Sequence, residues 1–115
     1  MDAQLKRGLL DACVLTVLNR GESYGYRLAR DVGEIIDISE STLYPILRRL
    51  ETGGLVTVRS AEHNGRLRRY YQITKAGQDK LKQSVAGWRE LTRALSAIER
   101  EVCGNDEAGF SEQVK

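Results

Sequence analysis

A hairpin does most to narrow the fold. Two runs rich in Val, Thr, Tyr and Ile, Leu55 to Ser60 and Arg66 to Ile73, stand either side of His63, Asn64 and Gly65, and Asn-Gly is the strongest short signal for a two-residue turn between antiparallel strands. What surrounds this ribbon reads as helix. Before it, Leu43, Ile46, Leu47 and Leu50 recur at i, i+3, i+4 and i+7, the inward stripe of an amphipathic helix. Ser39 or Ser41 can cap that helix, and Gly53 and Gly54 close it. Pro45 falls within its first turn or just past it, where a missing N–H costs least. After the ribbon, Thr74 can cap a last helix carrying Leu81, Val85, Trp88, Leu91, Leu95, Ile98 and Val102, whose later members step by alternating threes and fours like a helix-packing seam.

Two further helices precede these. Leu5, Leu9, Ala12, Cys13, Leu15 and Leu18 keep helical spacing, and Leu10, Val14 and Val17 widen the apolar face, so this first helix must be covered on more than one side. It stops at Asn19, Arg20 and Gly21. Ser23 stands as an N-cap for a second helix with Tyr26, Leu28, Ala29 and Val32, ending near Gly33, and Ile36, Asp37 and Ile38 alternate like a short strand. The order of helix, helix, short strand, helix, ribbon and long helix predicts a mainly α (α+β) fold, a winged helix-turn-helix with a C-terminal dimerisation helix. Residues 1–74 are expected to form the winged domain, 75–103 the dimerisation helix and 104–115, rich in Asn, Asp, Glu, Gly and Ser, a flexible tail.

Function classes drop out on composition. Catalysis needs a nucleophile with its base, a carboxylate pair in a cleft, or a metal with three or four ligands. The single histidine, His63, falls in the hairpin turn, Cys13 and Cys103 lie far apart, and no Gly-rich phosphate loop occurs. We therefore expect no enzyme activity, no cofactor and no metal. No apolar run approaches the roughly 18 residues of a membrane span and the first residues lack a signal-peptide block, so a soluble, cytoplasmic protein is expected.

The distribution of charge points to a polyanion. The whole chain is only +2, yet between Ser41 and Lys80 eight Lys or Arg face three acids, while the remainder is net acidic by three. In a winged helix the third helix enters the major groove of DNA and leads with its N-terminal residues. Opposite its inward stripe lie Ser41, Pro45, Arg48 and Thr52, flanked by Thr42, Tyr44 and Arg49. Hydroxyls and a phenol suit base or phosphate contacts, and Arg48 can fork onto a guanine edge or a phosphate. On the ribbon, alternation sends Leu67, Tyr71 and Ile73 towards the core and Arg66, Arg68 and Tyr70 the other way. Arg66 and Arg68 then read as phosphate contacts, and Arg69 either joins them or pairs with an acid such as Glu51.

Ser23-Tyr-Gly-Tyr26, Ile38-Ser-Glu-Ser-Thr-Leu-Tyr-Pro45, Leu47-Arg-Arg-Leu-Glu51 with Gly54-Leu55, and Arg68-Arg-Tyr-Tyr-Gln-Ile-Thr74 with Gly77 together resemble the PadR family of bacterial transcriptional regulators, over roughly Leu5 to Leu95. The short C-terminal helix is similar to the smaller subgroup of that family. The resemblance implies a homodimer that represses transcription at an inverted repeat in double-stranded DNA. The expected DNA-binding residues are Tyr24, Ser39, Ser41, Thr42, Tyr44, Pro45, Arg48, Arg49, Asn64, Arg66, Arg68 and Arg69. The expected dimer interface comprises Leu5, Leu9, Cys13, Trp88, Leu91, Leu95, Ile98 and Val102. It also leaves room for a small aromatic or hydrophobic effector at Trp88, although a seam tryptophan is more often plain packing. Many members carry proline between the wing arginines where this chain has Leu67. The alternative from another class is a winged helix that serves as a protein–protein interaction module without specific DNA binding.

Overall fold

Asp2 begins the first helix, its carboxylate accepting from the backbone N–H groups of Gln4 and Leu5 at 3.1 Å each. The computed structural model describes residues 2–104. Its elements are α1 (Ala3–Leu18), β1 (Ser23–Tyr24), α2 (Gly25–Gly33), α3 (Glu40–Thr52), β2 (Val56–His63), β3 (Arg66–Ile73) and α4 (Lys75–Val102). They form a mainly helical winged helix with one antiparallel sheet of order β1-β3-β2. The chain divides into two units, Met1–Ser84 and Val85–Lys115, each described by itself below. The expected tail lies, apart from Gly104, outside the described residues.

The apolar stripes of the first three helices meet in one core. Val14, Leu15, Leu18, Leu28, Val32, Leu43, Leu47 and Leu50 are all buried there, with Val56 and Tyr71 supplied by the sheet. α1 touches α2, α3 and β3, which is why its apolar residues cover more than one face. α3 starts at Ser39, whose Oγ accepts from the Thr42 N–H at 3.3 Å. It ends in a Schellman motif in which Leu55 N–H donates to Leu50 C=O at 2.9 Å and Gly54 N–H to Glu51 C=O at 3.0 Å. Gly54 takes the left-handed φ of 76° that this ending requires.

The ribbon closes through Asn64 and Gly65, with φ of 52° and 79°; positive values at both central residues match the right-handed twist of the flanking strands. Pairs then run from His63 opposite Arg66 to Val56 opposite Ile73. Thr74 ties the end of the ribbon to its start. Its hydroxyl donates to the Gly54 carbonyl at 2.7 Å and accepts from the Gly77 N–H at 3.0 Å, capping α4 in the same stroke. Gly77 is buried, and a Cβ there would collide with the Leu55 carbonyl oxygen and stand 2.7 Å from Ile73 Cγ1.

Three local expectations are corrected. Ile36, Asp37 and Ile38 form no strand, because the Ile36 N–H is spent on the Val32 carbonyl as α2 unwinds; Ile36 and Ile38 instead pack against the core. The third strand is Ser23–Tyr24, paired to Tyr71 and Tyr70. Ser23 is consequently not the cap of α2: it turns inward, 3 % exposed, and Tyr24 occupies the N-cap position without a side-chain cap. Leu67, although on the core side of β3 by alternation, is 79 % exposed, since the ribbon extends beyond the helices at its tip.

Candidate nucleic-acid interface

α3 presents two unlike faces. Leu43, Ile46, Leu47 and Leu50 are buried, while Ser41, Thr42, Tyr44, Pro45, Arg48 and Arg49 are exposed. At its N-terminus the Ser39 hydroxyl lies 3.0 Å from that of Ser41 and 3.1 Å from that of Thr42, a cluster whose donors and acceptors can rotate to suit a partner. Tyr44 leans towards the start of α2, where a Cβ on residue 25 would stand 2.5 Å from its hydroxyl oxygen, so glycine there permits the approach. Burial, followed by the nearby Glu40 carboxylate, pushes the Tyr44 phenol above its ordinary pKa.

The arginines separate into two groups. Arg49 is ion-paired to Asp11 of α1, Arg69 reaches Glu51 of α3 at 3.6 Å, and Arg59 forks onto Glu22, with Nε to Oε2 and Nη2 to Oε1 both 2.7 Å. The Asp11 carboxyl is pushed above the ordinary range by burial, against the opposing pull of the Arg49 guanidinium. Hydrogen bonding from Arg59 draws the Glu22 carboxyl down. Among the described residues no carboxylate lies within ion-pair distance of Arg48, Arg66 or Arg68.

The outer face of the sheet gathers Tyr24, Arg59, Arg68 and Tyr70. The Tyr24 and Tyr70 rings meet edge to face with centroids 5.9 Å apart. The Arg68 guanidinium lies 3.9 Å over the Tyr24 ring and that of Arg59 4.7 Å over Tyr70. Asn64 and Arg66 sit exposed at the hairpin tip. Glu22, Arg59 and Asp11 are the partners that sequence reasoning missed, while Tyr70 was placed on the outward face without its partners. Counting outward from the Asn64-Gly65 turn would have put Arg59 opposite Tyr70, whereas nothing local announced that Tyr24 joins the same face.

Compared with known proteins, residues 14–83 match the model of the transcriptional regulator PadR-like family, more than half of the chain. The chain belongs to the PadR family. That family is one of transcriptional regulators, not of enzymes. This PadR-family chain is 42 % identical over 67 residues to the transcriptional regulator Rv3488 of Mycobacterium tuberculosis, 58 % of this chain and 56 % of that protein. It resembles the crystal structure of a PadR family transcriptional regulator from Eggerthella lenta with a TM-score of 0.74 and 34 % identity, covering 83 % of this chain and 85 % of the other. It shares its fold with Bacillus subtilis PadR in complex with operator DNA, at a TM-score of 0.63 and 24 % identity over 67 % of this chain and 46 % of that one.

Of the residues expected at a dimer interface, Leu91, Leu95, Ile98 and Val102 are exposed on the PadR chain's second unit, with Val102 at 75 %. Trp88 is half-buried and lines a surface recess with Arg89, Thr92 and Arg93. In the first unit Leu5 is exposed and Leu9 packs partly against the core. Cys13 requires a correction: it is 5 % exposed and turned into the core of its own chain, so it offers no surface to a partner. Among the described residues no helix is long and apolar enough to cross a membrane.

Proposed function

We propose that this PadR-family regulator binds operator DNA as a homodimer and represses transcription there. α3 enters the major groove with Ser39, Ser41, Thr42, Tyr44 and Pro45 foremost, and Arg48 reaches a base edge or a phosphate. The wing brings Arg66, Arg68 and Asn64 to the backbone, and Tyr24 a phosphate contact from the start of α2. Residues 75–103 serve as the dimerisation helix, pairing through Leu91, Leu95, Ile98 and Val102. The recess at Trp88 is where a flat hydrophobic effector would seat.

The observation that carries this reading is the sorting of the arginines. On α3 and the wing the acids within reach divide the arginines into engaged and free, and the free ones lie on the faces that a duplex would meet. Here Arg49, Arg59 and Arg69 are engaged by acids, while Arg48, Arg66 and Arg68 keep their donors for an external anion. Support also comes from a protein of the same fold, the Bacillus subtilis PadR that holds operator DNA.

Footprinting on DNA upstream of the chain's own gene tests the proposal. Two recognition helices in successive major grooves should protect an inverted repeat with half-sites about 34 Å apart. No retardation of such fragments at modest ionic strength would leave the winged domain as a protein-interaction module.

A further inference from the structure

The three side chains that flank Arg68 and Tyr24 form a continuous chain of contacts. Glu22 holds Arg59 by two hydrogen bonds of 2.7 Å, Arg59 lies against the Tyr70 ring, Tyr70 meets Tyr24 edge to face, and Tyr24 carries Arg68. The two arginines in this chain are used differently. A guanidinium stacks through its face while its N–H donors lie in its plane. Arg59 has both resources committed, its face to Tyr70 and its Nε and Nη2 edge to Glu22. Arg68 has its face over Tyr24 and, among the described residues, no side chain that takes its donors, which leaves them free for a partner.

Resting on the DNA-binding reading above, we propose that Glu22 and Arg59 are positioning residues for DNA binding, which through Tyr70 and Tyr24 hold Arg68 in place to meet a backbone phosphate. Neither touches the DNA itself. An arginine side chain gives up considerable rotamer freedom when it binds, and a guanidinium already seated on an aromatic platform has given up part of it beforehand. The advantage belongs to affinity and not to the number of phosphates contacted.

Charge and positioning make opposite predictions for Glu22→Gln. That change removes a negative charge from beside the wing, so electrostatics alone predicts tighter binding to DNA. Positioning predicts weaker binding, because the neutral amide no longer holds Arg59 by a charge-assisted fork. The test uses the full chain and a labelled duplex carrying its footprinted site, with a thermal melt of each variant as a check of folding. Glu22→Gln and Arg59→Lys should each bind about three- to tenfold more weakly, with the slope of log affinity against log salt unchanged. In an Arg68→Ala background the same changes should have little further effect, and Tyr70→Phe, which keeps the ring, should bind like the unaltered chain.

Binding by Glu22→Gln as tight as or tighter than that of the unaltered chain overturns the proposal. So does a loss that persists in full without Arg68, or a salt slope reduced by Arg59→Lys. Absence of binding by the unaltered chain would instead overturn the function on which the proposal rests.

Discussion

Replacing Arg68 by alanine tests the assignment of free and engaged arginines most directly. Each phosphate neutralised on B-DNA contributes about 0.9 to the slope of log affinity against log salt. Counting Arg48, Arg66 and Arg68, the cations of α3 and the wing that no acid engages, as phosphate contacts on each chain of the proposed dimer gives an expected slope of about −5. Its affinity should then fall roughly a thousandfold between 50 and 200 mM salt, taking those concentrations as about the usual range for such titrations. Arg68→Ala removes one contact per chain and should bring the slope to about −3.5, with roughly a hundredfold fall over the same range. Arg49→Ala and Arg69→Ala are the comparison, since each deletes a cation already paired with Asp11 or Glu51 and should leave the slope nearly untouched. Fluorescence anisotropy titrations at four or five salt concentrations would measure all of these. Equal reductions from Arg49→Ala and Arg68→Ala would refute the reasoning, for they would show that pairing within the chain does not decide which arginines meet the DNA.

Two other expectations concern the scaffold. Gly77→Ala gains about 1 kcal/mol of helix propensity but drives a methyl into the Leu55 carbonyl and Ile73, an overpacking cost of about 1–3 kcal/mol. The net loss of up to about 2 kcal/mol should lower the melting temperature by up to about 10 °C, and a raised midpoint would show that the α3–β2 turn yields easily. Because the folded pKa of Asp11 is raised, the folded state holds that proton more tightly than the unfolded chain does. Its favourable contribution is complete below the ordinary carboxyl pKa and is lost as pH rises through the folded value. Asp11→Asn should then equal or exceed the unaltered chain in stability at neutral pH, with the difference shrinking on acidification. Denaturant melts across that interval would count against this if the variant were the weaker one at pH 7 by a margin growing with pH.

The parts of the fold legible in the sequence were those fixed by local chemistry. The stripe of α3, the Asn64-Gly65 turn and the Thr74 cap each appear where periodicity and turn residues place them. What escaped depended on partners distant along the chain. Ser23 and Tyr24 form a strand only because β3 offers its edge, and two residues carry no period to detect. Ile36 to Ile38 show the reverse, an alternating pattern with no strand to pair with. On the candidate interface, the outward position of Arg48, Arg66 and Arg68 followed from helix and strand periods. The engagement of Arg49 by Asp11 and of Arg59 by Glu22 did not, because those acids lie 38 and 37 positions away. The tip of the wing misled for a geometric reason: alternation assigns a side of the sheet, not whether anything lies beneath it, and Leu67 has no helix under it.

The Thr74 hydroxyl has a mechanical consequence. One oxygen joins the carbonyl that follows the third helix to the amide that opens the fourth, and the Leu55 carbonyl beside it receives the Thr74 N–H at 3.0 Å. With Gly77 packed against the same carbonyl, there is no slack between these segments. Torque applied to the first turn of α4 is delivered to the last turn of α3, the helix proposed to read DNA, without an intervening hinge.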